Sequence, residues 1–410
     1  MAAKILRVGE IGVHDEASKL VSAALTGLPS VEQELLQLLR TEDSLFLGHM
    51  DVMAARHEIS AFYKTLESHG VSVIMMKEAL ANILMNSGQG ALSMSDTMSA
   101  LSQKAKTLTS LNLEVPSPDL GLVLGKAETL IQMDAELYGG GKKGMQKALL
   151  LVKALCIDPK LPHGNLLYAR DQSSVVLGHR VVSAMMYPAR QSEVPIFESI
   201  YHNILPMHPV ISIPEGETFE GGSLYVNGNK MFIDVGPRTS MGAAKWIIST
   251  LASSGKYPGM EYVIVKEEGK PPTFEQEQES MHLDMFSMPI GLGDKKQMVL
   301  CPSESDRRHV YLASADESGI MRIHRTGKTF TEYLSGEGYD LIRVTKEEQR
   351  AFACNILALD GTTVVSALPF EAPISEALRD RGKNVINLDF SATTEGTGGP
   401  HCLTMQLLRK

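Results

Sequence analysis

Leu224-Tyr-Val-Asn-Gly-Asn-Lys-Met-Phe-Ile-Asp234 is the stretch on which the fold turns. Two β-prone runs flank Asn227-Gly228, a dipeptide that tolerates the positive φ of a tight hairpin, so strand, turn and strand are expected. Ser174-Val-Val-Leu-Gly-His-Arg-Val-Val-Ser-Ala184 reads the same way. So does Asn355-Ile-Leu-Ala-Leu-Asp-Gly-Thr-Thr-Val-Val-Ser-Ala367, around Asp360-Gly361. Val-Val-Ser-Ala recurs at 181–184 and 364–367. A helical pattern follows each hairpin (192–203, 240–253, 373–382), and a further strand comes soon after, as in Val385-Ile-Asn-Leu388. Such a unit cannot bury its own apolar face. Several copies should pack around a shared centre in a radial α/β arrangement, where central turns would pool polar residues from distant sequence.

That β-rich texture begins near Pro159. Upstream, after an opening segment from Ile5 to Leu25, Ser30-Val-Glu-Gln33 has the form of a capping box and should start a helix with Val31, Leu35, Leu38 and Leu39 on one face. Ile59, Phe62, Tyr63 and Leu66 make a second apolar stripe ending at Gly70, and Val71-Ser-Val-Ile-Met-Met76 reads as a strand. Helical patterns return at 77–87, 94–111, 122–137 and 143–156, broken by Asn86-Ser-Gly88, Pro116-Ser-Pro118 and Gly139-Gly-Gly141. The Gly139 cluster lacks the lysine and hydroxyl that end a phosphate loop, so it reads as an interhelix turn.

The chain has 410 residues, 43% hydrophobic and 21% charged, as in soluble globular proteins. No apolar run approaches the ~18 residues of a membrane span, and no secretory leader is visible, so a cytoplasmic location is expected. A net charge of −9 without a basic cluster argues against nucleic acid and mildly favours a cationic small ligand. The four cysteines, Cys156, Cys301, Cys354 and Cys402, lie far apart, without metal-ligand spacing. Neither a disulfide framework nor a metal site is expected. Neither is an organic cofactor.

Cys402 stands apart from the other three, which sit in apolar runs. It ends Gly396-Thr-Gly-Gly-Pro-His-Cys402, where glycines permit close backbone approach before the apolar run Leu403 to Leu408, and it is the candidate nucleophile. A free thiol titrates near ~8.5, so activation must come from elsewhere. Asp171, after Arg170, precedes the first hairpin, and Glu220-Gly-Gly222 opens the second. Taken singly, Asp171 reads as a turn or cap residue, and Glu220 reads equally as a solvated residue at a bulge or as a functional carboxylate. His282-Leu-Asp284 alternates an imidazole and a carboxylate onto one face of an expected extended segment. His401 is left without a role. A thiol, an imidazole and carboxylates suit a planar guanidinium: Asp171 and Glu220 or Asp284 would hold the fork, and His282 would protonate the departing amine and then activate water.

The runs Asn165-Leu-Leu-Tyr-Ala-Arg-Asp171, Tyr187-Pro-Ala-Arg190, Phe219-Glu-Gly-Gly222, Gly236-Pro-Arg-Thr239, Met281-His-Leu-Asp284 and Gly398-Gly-Pro-His-Cys402 resemble the motifs of arginine deiminases, within the guanidino-group-modifying enzymes. Gly12-Val-His-Asp-Glu-Ala-Ser-Lys-Leu20 is similar to that family's opening. The resemblance implies a pentein fold, ββαβ units around a pseudo-fivefold axis. Its catalytic propeller would be formed by 1–29 and 157–410, and 30–156 would be a mainly helical insertion containing a propeller strand near 71–76. It implies hydrolysis of L-arginine to L-citrulline and ammonia by a cytoplasmic enzyme, a homo-oligomer (dimer or tetramer), without cofactor. Cys402 would be nucleophile, His282 acid and base, with Asp171, Asp284 and Glu220 around the guanidinium. Asn165, Arg190 and Arg238 match positions that in the family grip the α-carboxylate end of arginine, and Tyr168, in the first run, would also bind substrate.

Two positions depart from the family. Ser223 stands where an acid usually helps hold the α-ammonium, and Thr397 or a neighbour where an arginine usually precedes the cysteine. Each lost charge-assisted hydrogen bond costs ~1.5–3 kcal/mol. These departures leave open another guanidine (methylarginine, agmatine, peptidyl arginine), amidino transfer, or a guanidine-binding protein without turnover.

Overall fold

The computed structural model describes residues 11–111, 119–204, 208–269, 272–291, 293, 295–315 and 321–410. The expected segment from residue 5 to 10 and the break at Pro116-Ser-Pro118 lie outside them. Strand β1 (Leu20–Leu25) pairs in parallel with β2 (Ser72–Met75). The hairpin expected at 174–184 is β3 (Ser173–Val176) and β4 (His179–Val182), and β5 (Val210–Ser212) returns parallel to β4. Its turn works because Leu177 and Gly178 both take positive φ. The hairpin at 224–234 is β6 (Leu224–Asn227) and β7 (Lys230–Val235), with β8 (Glu261–Glu267) parallel to β7.

A further pair was not foreseen. β9 (Ser287–Pro289) and β10 (Gln297–Leu300) run antiparallel; a long hairpin, β11 (Arg308–Ala315) and β12 (Met321–Thr329), then joins β8 before β13 (Asp340–Arg343) returns parallel to β10. The third expected hairpin is β14 (Leu357–Ala358) and β15 (Thr363–Ser366), with β16 (Asn384–Asn387) parallel to β15. Finally β17 (Met405–Arg409) pairs antiparallel with β1. Among the described residues the strands form five sheets, four of three strands and one of five, each including an antiparallel pair and a strand parallel to one of its members.

Between β1 and β3 the chain is mostly helical. The capping box at Ser30 is present: Gln33 Oε1 accepts from the Ser30 N–H at 2.7 Å, and Val31–Leu36 follows as a helix. Longer helices are Val52–Ser68, Met76–Asn86, Met94–Leu111, Leu120–Leu137 and Gly141–Val152, with Gly140 at the start of the last, as the turn reading required. Buried charge ties them together. Arg56 reaches Asp134 at 2.8 Å, Asp134 accepts from Ser30 Oγ at 2.6 Å, and Lys77 pairs with Glu32. The apolar faces of these helices share one core with β1, β17 and Tyr168. Among the described residues no helix is long and apolar enough to cross a membrane.

Candidate active site

Residues that line one cleft come from separate loops and short helices: Leu45, Asn165, Tyr168, Asp171, Arg190, Arg238, Gln278, Met281, His282, Thr397 and Cys402. His282 has extended backbone, but Leu283–Met285 is a single 3-10 turn, so the expected extended segment is corrected. Asp284 is thereby turned away from alternation with His282 and placed beside the candidate nucleophile, its Oδ2 at 3.7 Å from Cys402 Sγ. Gly222 is needed for this approach, because a Cβ there would lie 2.8 Å from His282 Nδ1 and 3.0 Å from Asp284 Oδ1.

His282 sits between two carboxylates. Its Nε2 is 2.9 Å from Glu220 Oε2 and its Nδ1 is 3.6 Å from Asp171 Oδ1. Burial works against the imidazolium, but Asp171 and Glu220 outweigh it and raise the pKa. Glu220 is fully buried rather than solvated, which corrects the bulge reading. Burial opposes its charge, but Arg238 and His282 prevail and hold its carboxyl well below the usual range. Asp171 gives Oδ2 to Arg190 Nη1 at 2.7 Å, while its buried Oδ1 accepts no hydrogen bond.

Arg190 and Arg238 are buried and fixed. Arg190 donates through Nε to Glu193 at 3.1 Å and through Nη2 to the Asn165 carbonyl at 3.1 Å. Arg238 donates through Nε to Glu277 at 2.6 Å and through Nη1 to Glu220 at 3.1 Å, under the ring of Tyr187 at 4.4 Å. Asn165 donates to the Ser44 carbonyl at 2.7 Å. Tyr168 donates to the Thr393 carbonyl at 2.8 Å and leaves room only for glycine at 398, where a Cβ would meet its ring at 2.3 Å. Its place is a platform for the C-terminal loop. Ser223 is buried in the turn Gly221–Ser223 with its hydroxyl unpartnered, and it does not line the cleft. Thr397 does. It takes φ 74°, faces Leu45 at φ 63°, and donates to the Leu45 carbonyl at 3.3 Å and to that of Gly396 at 2.6 Å.

Cys402 is 3% exposed. Burial, then Asp284 and Asp171, push its thiol up, and a hydrogen bond from Asn355 Nδ2 at 3.0 Å pulls the other way. Asn355 was missed in the sequence. Its Oδ1 also accepts from the backbone N–H groups of His401 and Cys402, each at 3.1 Å, so one amide fixes the loop and faces the sulfur. His401, left without a role above, binds Asp284 Oδ2 through Nδ1 at 2.7 Å, and Glu16 Oε2 lies 3.6 Å from its Nε2. Burial opposes the charge of Asp284, and His401 and His282 together hold its pKa down. The other cysteines are buried and free, and none lines the cleft.

The free space is about 10 Å³, enough for about one water. A substrate therefore has to displace part of the lining, and the Leu45–Thr397 contact spans the cleft between two loops. Asp171, Glu220 and His282 each offer a ligand atom within 4.8 Å of the others, a spacing that also suits a metal ion. Both carboxylates already carry an arginine, so little uncompensated charge is left for a divalent cation. Of the carboxylate oxygens around His282 and Cys402, Asp171 Oδ1 and Asp284 Oδ1 accept no hydrogen bond, and two such acceptors near a thiol suit a planar N–H donor with delocalised charge.

A family model described as "Arginine deiminase" matches residues 42–409. A protein named arginine deiminase from Rhodococcus jostii is 26% identical over 97% of both chains, and one from Listeria monocytogenes serotype 4b is 23% identical over 95% of both. Among solved structures, DDAH from Pseudomonas aeruginosa, a cysteine-to-serine mutant complexed with citrulline, superposes with TM-score 0.54 at 14% identity, covering 95% of this chain and 99% of that one. An amidinotransferase of the saxitoxin biosynthetic pathway from Microseira wollei gives 0.53 at 13%, covering 98% of each. At such identities these structures show the fold alone, an α/β fold shared along nearly the whole chain.

Proposed function

This chain belongs to the arginine deiminase family and is a guanidino-group hydrolase, and from that premise we propose that it converts L-arginine and water into L-citrulline and ammonia through an amidino adduct on Cys402. The observation that carries the reading is the convergence of Cys402, His282 and Asp171 on one cleft, with Asp284 3.7 Å from the sulfur. The chemistry follows from the charges. Burial and two carboxylates favour the protonated thiol. A guanidinium bound to Asp171 and Asp284 offsets both charges, so the thiol gives its proton to solvent and the thiolate adds to the guanidinium carbon.

His282, held protonated by Asp171 and Glu220, then donates its proton to the departing nitrogen as the C–N bond breaks and ammonia leaves. The neutral imidazole takes a proton from water, and the resulting hydroxide adds to the thiouronium carbon. Breaking the C–S bond returns the thiolate and releases the urea product; the product's extra proton leaves with ammonia as ammonium. A reduced nucleophile of this kind fits a cytoplasmic setting. We extend the fold reading likewise, to five sheets about a pseudo-fivefold axis, with 1–29 and 157–410 as the catalytic module and 30–156 as a mainly helical insertion.

The test is incubation with labelled arginine and detection of ureido product. Product formation with an acid-stable adduct on Cys402 is expected, and a clean null over a panel of arginine analogues would end the proposal. A second reading, another guanidine or amidino transfer, is favoured by Thr397, whose hydroxyl is engaged by carbonyls, and by Ser223, which brings no charge. Competing arginine, methylarginine and agmatine in one assay, with and without an acceptor amine, separates the two.

A further inference from the structure

One polar side chain in the cleft takes no part in this chemistry. Gln278 lies on the helix Phe274–Ser280, whose first turn is fixed by a Thr273–Gln276 capping box. It precedes His282 by four residues, just before the helix ends, and lines the same cleft as Met281 and His282. Gln278 is 1% exposed, yet neither its Oε1 nor its Nε2 has a hydrogen-bond partner. Buried amides without partners are rare, and one aimed into a cavity is poised for what enters.

The neighbouring donor is in the same condition. Arg238 Nη2 is buried and unpartnered, although Nε and Nη1 are held by Glu277 and Glu220. Glu277 precedes Gln278 on the helix, so one element both aims the guanidinium and presents the amide. Together they offer an acceptor, Oε1, beside donors on Nε2 and Nη2. An ammonium next to a carboxylate needs that pattern. Ser223 is outside the cleft lining, and the Thr397 hydroxyl already donates to carbonyls, so neither competes for this part.

We propose that Gln278 is a specificity residue: Oε1 accepts from the α-ammonium of the substrate, while Nε2 donates to the α-carboxylate, the end that the family resemblance already assigns to Arg238. This rests on the guanidine-hydrolase reading above and narrows its substrate class to free α-amino acids bearing a guanidinium. Gln278→Leu and Gln278→Glu are compared with the unmutated protein on L-arginine, agmatine (ammonium without carboxylate) and butylguanidine (neither), by steady-state turnover and by calorimetric binding.

For Gln278→Leu the KM for arginine should rise on the order of ten- to a hundredfold with kcat within about threefold, and butylguanidine should be unaffected. Gln278→Glu keeps the acceptor and repels the carboxylate, so it should shift preference from arginine toward agmatine by about tenfold or more. Equal losses on all three guanidines would mean a packing role and overturn the assignment, as would no change for arginine. Calorimetry separates the two readings. If the unmutated protein binds arginine no tighter than butylguanidine, the head-group assignment fails even where turnover is seen. Selective arginine binding that Gln278→Leu abolishes supports it even where no citrulline forms.

Discussion

Two imidazoles in this protein have nearly the same surroundings and different access. His282 lies between Glu220 at 2.9 Å and Asp171 at 3.6 Å; His401 lies between Asp284 at 2.7 Å and Glu16 at 3.6 Å. Both are 1% exposed. The carboxylates of His282 are steadied by Arg238 and Arg190, which line the cleft, and His282 lines it too. Behind His401, Glu16 is held by Arg170 at 2.9 Å and Arg409 at 3.8 Å, and none of these lines the cleft. One arrangement can exchange a proton with a ligand, while the other can only hold Asp284 in place. Hydrogen-bond geometry does not distinguish a proton carrier from a strut; access to the cleft does.

The comparison breaks most visibly at His282. His282→Asn should lower kcat by about 10²–10⁴ in a citrulline assay while arginine still binds, and a loss this large from His401→Asn instead would reverse the two roles. At the closed end, Glu16→Gln leaves two buried arginines without their carboxylate. It should cost about 3–5 kcal/mol in denaturant unfolding. Burial opposes the charge of Glu16, but Arg170 and His401 depress its pKa, so its contribution to stability is present above the ordinary carboxylate value near 4.5 and is lost as pH falls through the folded one. The variant should therefore also flatten the acid side of the stability profile.

His401→Asn should lower kcat/KM on the order of ten- to a hundredfold, through a misplaced Asp284. Smaller still is a shift in pH dependence. The acid form of His282 is needed and its pKa is raised, so turnover should persist above 6.5 and fall as pH climbs through the folded value. Glu220 is one cause of that rise. Glu220→Gln should move the alkaline limb of kcat to lower pH, and an unmoved limb would assign it to another group. The smallest effect expected is at the bridge across the cleft: Thr397→Ala removes one hydrogen bond to the Leu45 carbonyl, worth about 0.5–1.5 kcal/mol, and should change KM for arginine by less than about tenfold.

Much of this was legible where the signal is local. Asn227-Gly228, Gly178 and Asp360-Gly361 dictate their hairpins because positive φ and side-chain-to-backbone bonds act within four residues; Asp360 Oδ1, for instance, accepts from the N–H groups of Thr362 and Thr363 at 2.7 and 2.8 Å. The units that escaped are not local. β9 and β10 are followed by a hairpin that joins another sheet, and β17 pairs with β1 across the whole length of the chain. The His282-Leu-Asp284 alternation was read as a strand because periodicity over three residues cannot tell a strand from a turn.

Gln278 was hidden in Phe274-Glu-Gln-Glu-Gln-Glu-Ser280, which has the composition of a solvated helix, and Asn355 by its place at the start of a β-prone run. By itself the sequence determined the hairpins, the helical stretch before Pro159 and, through motifs spread along the chain, which side chains to watch. Turn chemistry and side-chain identity are written residue by residue. Only the tertiary structure decided which of two histidines meets the cleft, which amide faces the sulfur, and which buried groups are left unpaired. Access and burial belong to the packing of segments far apart in the chain, and no single segment carries them.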